Sequence, residues 1–320
     1  MSDVRVFHPD PAILRRIPGP CARARGRSSW ISVTHMLLRC FLTLVACLHL
    51  IPAFAQADVR VTFVDGQMKL LRGTQVLLAA PGVVVLDSDI LETAPKAYAL
   101  IEFPDGVRLA LGDETRLMLR TLASGGKPAM REFAVLQGWV KIQSPAASVA
   151  DFQLQGLRWS IQGRETSVIV RDDAMLFVEH GAVAVSVSDL KGRAGTPQRL
   201  NSGRFGVLDE NRALVLQERP AEVFVTAMPR PFRDPLPRLL ERFKGREVEP
   251  RPAGEVAYGD VAHWLQGPQP WRSGFVARFR PRLGDKAFRQ QLADNVARHP
   301  EWDRILFPEK YRPRNPPARP

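Results

Sequence analysis

The sequence predicts an all-β main domain followed by a small C-terminal α-helical segment. Three observations carry this reading. From Asp58 to Leu216 apolar residues recur with period two in short runs broken by turn residues. Two Asp-Gly pairs, Asp65-Gly66 and Asp105-Gly106, fall where the chain must reverse. After Pro220 the composition turns proline- and arginine-rich, and apolar residues recur at four-residue spacing. The strands are compatible with an antiparallel meander, a sandwich or a solenoid-like stack.

Residues 97–111, AYALIEFPDGVRLAL, set the register. For Ala99, Ile101, Phe103, Val107, Leu109 and Leu111 to share one face, Phe103 must oppose Val107, Ile101 Leu109 and Ala99 Leu111. Pro104, Asp105 and Gly106 then form a three-residue loop with glycine at the left-handed position of a G1 bulge. At Asp65-Gly66 the parity changes instead, so a two-residue type I′ loop pairing Phe63 with Met68 and Val61 with Leu70 is expected. Further strands are expected at 75–78, 83–86, 116–122, 133–142 with a bulge or turn at Gly138, 152–157, 159–161 and 167–170. A hairpin at Asp172-Asp173 follows, then strands after His180-Gly181 and after Asn201-Ser202-Gly203, the last at 213–216.

The domain boundaries follow from these patterns: a β domain at 58–218, a proline-rich linker at 219–254, a small helical region at 255–311 and a disordered tail at 312–320. Asp234 is placed to cap a short helix opened by Pro235 and closed by Gly245. Asp260 is placed to cap a helix running to Leu265, and Asp285 one carrying Phe288, Leu292 and Val296. Pro300, with His299 before it, occupies the first position of a last helical turn.

Ahead of the β domain, residues 36–57 read as a secretory signal peptide. Arg39 precedes an apolar run from Cys40 to Ile51, Pro52 breaks it, and Ala55-Gln56-Ala57 forms an A-x-A cleavage site that leaves Asp58 as the first mature residue. The run is shorter than the roughly 20 residues of a comfortable membrane span. Uncleaved, the same segment would be an anchor, and Leu44-Val45-Ala46-Cys47 resembles a lipobox, so membrane contact is expected only if the leader stays or is lipidated. Residues 1–35 lack periodicity and read as disordered or as a mis-assigned start before Met36. The net charge is +12, of which seven arginines against Asp3 and Asp10 place +5 in residues 1–57 and leave +7 beyond them. Cys21, Cys40 and Cys47 all precede Ala57, so the mature chain has no disulfide and no thiol nucleophile.

Residues able to carry chemistry are few and scattered. His180, His263 and His299 lack the paired spacing of a metal site, and each is read structurally, as a turn, a half-buried helix residue and the residue before a helix. Asp87 with Asp89, and Asp172 with Asp173, lack the further oxygen ligands of a calcium loop and are read as turn formers. No G-x-S-x-G, H-E-x-x-H or P-loop occurs. No cofactor or metal is expected, and no catalytic residue is assigned. The structural turns singled out are Asp65-Gly66 and Pro104-Asp105-Gly106. In FVARFRPRL, Arg278, Arg280 and Arg282 alternate with aromatics, and with Trp271 they make the expected partner surface, suited to an anionic glycan, lipopolysaccharide phosphate or an acidic protein face.

Asp87–Thr93, followed by residues 97–111 with their central Asp105-Gly106, resembles the core signature of the FecR domain, an exported all-β module of Gram-negative bacteria. Leu136–Val140, Phe152–Leu154 and Val178–Val183 resemble its later strands in order, so the resemblance spans about Val59 to Val187. Gly163-Arg164-Glu165-Thr166 departs from the family's usual Gly-Thr pair, and the 35 residues before the leader are too few and unpatterned for the cytoplasmic anti-sigma domain of iron-signalling members. With the export signal, the all-β pattern and the absence of catalytic constellations, the expected role is a non-catalytic periplasmic FecR-domain binding, scaffold or regulatory module, with an envelope protein or anionic glycan as partner and, because the chain is exported, no nucleic acid. The alternatives are an anchored regulator of iron-uptake-type signalling and an envelope enzyme acting on glycans from carboxylates on separate strands.

Overall fold

The structure, a computed structural model, describes residues 58–122, 130–172, 175–189, 193–209, 211 and 213–312. The leader with Ala55 and Ala57, the residues before it, Asp173 and residues 313–320 lie outside the described residues. Two sheets form a sandwich. Numbered along the chain, the first runs β1 (Arg60–Asp65), β5 (Tyr98–Glu102), β6 (Arg108–Leu111), β9 (Trp139–Gln143), β12 (Ser167–Arg171), β13 (Met175–His180), β16 (Phe205–Leu208), β17 (Leu214–Gln217). The second runs β15 (Gln198–Asn201), β14 (Ala182–Val187), β11 (Trp159–Gly163), β10 (Phe152–Gln155), β8 (Arg131–Gln137), β7 (Arg116–Thr121), β4 (Ile90–Thr93), β2 (Met68–Arg72), β3 (Gln75–Leu78), β18 (Arg251–Glu255). Neighbouring strands are antiparallel except β8 and β10, which run parallel. The chain is an all-β domain with a small helical segment at its C-terminal end.

The central hairpin forms as its parity requires. Ala99 opposes Leu111 and Ile101 opposes Leu109, the Phe103 amide donates to the Val107 carbonyl at 2.9 Å, and Gly106 has φ +86°. All six apolar side chains lie in the core between the sheets, with Phe133, Phe152, Leu176 and Val185. Asp105 does more than tolerate its turn. Its Oδ2 accepts from Arg131 Nη2 at 2.9 Å, Ser148 Oγ at 2.9 Å and the Val149 amide at 3.2 Å. Burial alone would raise this carboxyl, but those donors outweigh it and hold the group below the usual carboxylate value.

The Asp65-Gly66 hairpin does not form. Phe63 does not pair with Met68, nor Val61 with Leu70, because β1 pairs with β5 in one sheet while β2 pairs with β3 and β4 in the other. A bulge at Thr62 separates the pairs Val61–Ile101 and Phe63–Leu100 and inverts the parity, so Phe63 faces out against Tyr98 with ring centroids 5.9 Å apart. Gly66 instead turns the chain from one sheet to the other. The same device recurs. The passages β1–β2, β4–β5, β6–β7, β8–β9, β11–β12, β13–β14 and β15–β16 each cross between sheets, and contain, in order, Gly66, Lys96, Glu114, Gly138, Glu165, Gly181 and Gly203 at positive φ. Gly138 and His180-Gly181, read as turns within one meander, are therefore corners of the sandwich. Strands β12 and β13 pair antiparallel as expected, with Arg171 opposite Met175, but Val168 and Val170 share the core with Leu176 and Val178, and Met175 and Phe177 face outward. Residues 83–86 make single bridges, Val84 to Arg60 and Val83 to Val248, and close the β1 edge in place of a full strand.

Of the stretch 219–254, expected to be a linker, residues 221–239 form a strap packed on the outer face of the first sheet, while Arg251–Glu255 joins the second as β18. Helix α1 (Glu222–Ala227) inserts Phe224 between Trp139 and Phe205, each ring centroid 5.0 Å away, and Phe232 packs on Tyr98. Buried Glu102 accepts from Thr62 Oγ1 and from the Leu239 amide, both at 2.7 Å, and Gln143 Oε1 accepts from the Leu236 amide at 2.9 Å. Asp234 caps no helix. Its carbonyl accepts from Lys141 Nζ at 3.0 Å, and only a 3-10 turn, Leu240–Phe243, precedes Gly245.

Helices α2 (Tyr258–Leu265), α3 (Gln269–Arg272), α4 (Phe275–Phe279), α5 (Lys286–Asp294) and α6 (Asp303–Leu306) cap the second sheet, joining Leu71, Val76, Ile90, Met118 and Ala134 in one apolar cluster. Asp285 caps α5, accepting from the Ala287 and Phe288 amides at 2.8 and 3.1 Å. Asp260 sits inside the first turn of α2 and accepts from the Ala257 amide at 2.9 Å, so it supports that turn without being its cap.

His299 is wholly buried in the cap. Its Nε2 is 3.4 Å from the Tyr258 hydroxyl, the two rings meet edge to face, and Nδ1 has no hydrogen-bond partner among the described residues. Burial pushes its pKa below the ordinary 6.5, with Glu301 opposing the shift and Arg272 adding to it. The folded chain thus holds a neutral ring that the unfolded chain protonates near 6.5, and stability falls as pH drops below that value. The carboxyls held low, Asp105, Asp285 and Asp303, give up their contribution only below 3.8. His299 should therefore lower the urea midpoint as pH falls below 6.5, against an opposing gain from Glu92, whose carboxyl pKa is raised. His299→Gln should remove the His299 part and leave the midpoint higher at acid pH relative to neutral than in the parent. An unchanged pH profile in the variant would contradict this assignment.

Candidate functional site

The cap covers only half of the second sheet's outer face. Over β10, β11 and β14 that face stays open, because the alternations F-Q-L-Q and W-S-I-Q send Phe152, Leu154, Trp159 and Ile161 inward and Gln153, Gln155, Ser160 and Gln162 outward. Cross-strand register aligns them in rows, Gln153 opposite Gln162, and Gln155 opposite Ser160, which in turn opposes Ser186. The result is a cavity of about 730 Å³ between this amide- and hydroxyl-bearing face and the cap margin Pro268–Trp271, with Leu157, Arg158 and Asp189 also on its walls. A second cavity of about 450 Å³, lined by Leu86, Met118, Arg120 and Phe275, shares Pro270 and Trp271 with it. The two make one crevice along the cap's edge.

Its polar groups are ordered by one another. Gln153 Nε2 donates to Ser160 Oγ at 2.8 Å, and Gln155 Oε1 accepts from Arg120 Nη1 at 2.9 Å and Trp271 Nε1 at 3.2 Å. Such fixed donors and acceptors suit a polar ligand laid across the strands. Beside the cap, Lys69, Glu92, Arg116 and Gln137 form a cross-strand row lining a smaller cavity of about 310 Å³. Burial raises the Glu92 pKa, with Arg116 and Lys69 opposing it.

Two arginines of the strip are tied into the fold. Arg278 reaches back across the seam, its guanidinium donating to the carbonyls of Gly73 at 2.9 Å, Ser88 at 2.7 Å and Leu71 at 2.8 Å. Arg282 donates to the Val256 carbonyl at 2.9 Å and pairs with Asp285 at 2.8 Å and with Glu255. Trp271 is buried at the crevice wall, and Arg280 is the exposed member of the group. Alternating aromatics drew the arginines inward: Phe275, Phe279 and Phe288 must be buried, and the guanidinium groups between them satisfy backbone carbonyls at the seam.

The acidic residues weighed for chemistry hold turns. Asp89 is buried and pairs with Arg72 through both oxygens, at 3.0 and 2.6 Å, while also accepting from the Leu86 amide. Asp87 accepts from the Leu122 amide at 2.7 Å, and Asp172 from the Gly138 amide at 3.0 Å. His180 is exposed at its corner, and His263, expected to be half-buried, is exposed on α2 because the buried face of that helix is taken by Val261, Trp264 and Leu265. Among the described residues no three His, Cys, Asp or Glu side chains converge as a metal site would require, and no helix is long and apolar enough to cross a membrane.

Residues 89–186 match the family model described as FecR protein. This chain carries a FecR-like segment. It begins at Asp89, just before β4, and ends at Ser186 in β14, so it includes the Asp105-Gly106 hairpin, the Gly138 corner and the Gln and Ser rows of the crevice floor. Strands β1–β3, within the expected Val59–Val187 span, lie outside the FecR-like match but in the same sandwich. Two crystal structures, at 2.50 and 1.65 Å resolution, of a candidate anti-sigma factor from Parabacteroides distasonis ATCC 8503 are similar at 15% identity and a TM-score of 0.36. The similarity covers 43% of this chain and 62% and 63% of theirs. No curated protein matches the chain.

Proposed function

We propose that the chain is exported to the periplasm and acts there as a non-catalytic FecR-type binding and regulatory module, with the crevice on the second sheet as its contact surface. The observation that carries this reading is the crevice floor: outward amides and hydroxyls from three strands of the FecR-like segment, left bare by a cap that covers strands on the other side of that face. The wall charges are mixed in sign, Arg158 and Asp189 in the larger cavity, and Arg72, Arg120 and Arg278 with Asp87 and Asp89 in the adjoining smaller one. That lining favours an envelope glycan bound by hydrogen bonds over a densely charged polymer. The engagement of Arg278 and Arg282 by groups of the fold weighs in the same direction.

Export is tested by N-terminal sequencing of the protein recovered from the periplasm. The expected start is Asp58, and a retained leader would overturn the soluble form. Binding is tested by co-sedimentation with purified cell-wall sacculi and, separately, with lipopolysaccharide micelles. Sacculi should retain the protein, and Gln162→Ala combined with Ser186→Ala should weaken retention about tenfold, as the loss of two exposed hydrogen bonds predicts. Retention by neither, or equal retention of the variant, would overturn the crevice as the contact surface.

A further inference from the structure

The four sheet edges of the sandwich are unequally protected. Hydrogen bonds to Val83 and from Val85 cover β1, Pro252 and a bulge interrupt β18, and β15 presents Gln198, Arg199 and Asn201. Among the described residues, edge strand β17, Leu214-Val215-Leu216-Gln217, has no such device. It pairs on one side only, with β16, and exposes Val215 by 42% and Leu216 by 44%. An edge of this kind is a template for another strand.

The register says which strand. The Asp209 amide donates to the Ala213 carbonyl, so Asp209 and Ala213 are a hydrogen-bonded pair, and antiparallel alternation makes Val207–Val215 and Phe205–Gln217 bonded pairs as well. The backbone groups of Leu214 and Leu216 therefore point away from β16, toward the free edge. A two-fold axis through Val215 places Leu214 opposite Leu216 of the partner subunit, both with outward backbone groups, and Val215 opposite Val215 of the partner subunit. Moving the axis to Leu216 sets Leu214 against the charged Glu218. The strand is self-complementary in one register, in side chains and hydrogen bonds together.

We propose that β17 is a dimerisation edge, and that a second copy of this chain pairs with it antiparallel about a two-fold axis at Val215, joining the two eight-stranded sheets into one. In this register the Val215 pair is a non-hydrogen-bonded one, with Cα atoms about 4.5 Å apart. That separation is within disulfide range.

The test uses the full chain carrying Cys21→Ser, Cys40→Ser and Cys47→Ser, which leaves no other thiol. Sedimentation equilibrium should give twice the chain mass, and Val215→Lys should give the single-chain mass with an unchanged β-type circular dichroism spectrum. With Val215→Cys, mild oxidation should yield a disulfide-linked dimer, whereas Leu216→Cys alone should not. A single-chain mass for the parent, or cross-linking through Leu216→Cys as readily as through Val215→Cys, would overturn the proposal.

Discussion

Replacing Gly138 with alanine should destabilise the fold by about 4 kcal/mol, near the upper end for a single substitution. Gly138 has φ +94°, and a Cβ there would lie 2.5 Å from Thr115 Cα and 2.9 Å from Thr115 Cβ. The clash is with backbone and a fixed β-branched residue, so no rotamer relieves it. Thr115 itself cannot withdraw. Its hydroxyl accepts from the Trp139 amide at 3.0 Å and donates to the Trp139 carbonyl at 3.1 Å, and its amide donates to Thr93 Oγ1 at 2.9 Å. Moving Thr115 breaks the latch by which the chain passes from β8 in one sheet to β9 in the other. Urea denaturation should show the loss, whereas Gly203→Ala, at a corner where an added Cβ meets nothing within 4 Å, should cost only the backbone strain of about 1 kcal/mol. Equal midpoints for the two variants would refute the steric account.

Lys141→Met should cost about 3 kcal/mol and release the strap. The ammonium group, on a side chain 1% exposed, donates to the Phe232 carbonyl at 2.6 Å and the Asp234 carbonyl at 3.0 Å, and pairs with Glu179 at 2.8 Å. Methionine fills the channel but leaves two carbonyls without their donor and Glu179 with only the Ser167 hydroxyl at 2.6 Å. Thermal unfolding should shift down by about 6–12 °C. Trypsin should then cleave the variant early after Arg233 and Arg238, which follow Phe232 in the strap. Glu179→Gln, which keeps both carbonyl bonds, should do neither to the same degree. Early cleavage elsewhere, with the strap intact, would show that Lys141 does not fasten it.

Much of this architecture was legible in the residues. The hairpin at 97–111 formed with its pairs as parity demands, because a three-residue loop with glycine at the left-handed position leaves one register that buries Phe103 and Val107 together. The helix after Asp285 formed for an equally local reason, a carboxylate placed to accept two free amides. The polar rows of the crevice were also visible as F-Q-L-Q and W-S-I-Q, but alternation marks an outward face without telling whether anything covers it. Asp65-Gly66 misled because type I′ chemistry and a sheet-crossing corner ask for the same residues, and a one-residue bulge at Thr62 cancels the parity that would separate them.

By itself, then, the sequence determined what is decided within a few residues: where strands start and stop, which side chains share a face, and the all-β class that follows. Only the tertiary structure decided which of the two sheets each strand joins, that the proline-rich stretch is a strap, and that Arg278 is a fastener at the seam. Period-two alternation satisfies a core from either sheet, and an arginine's partners here are carbonyls some two hundred positions away, so neither choice leaves a mark on the neighbouring residues.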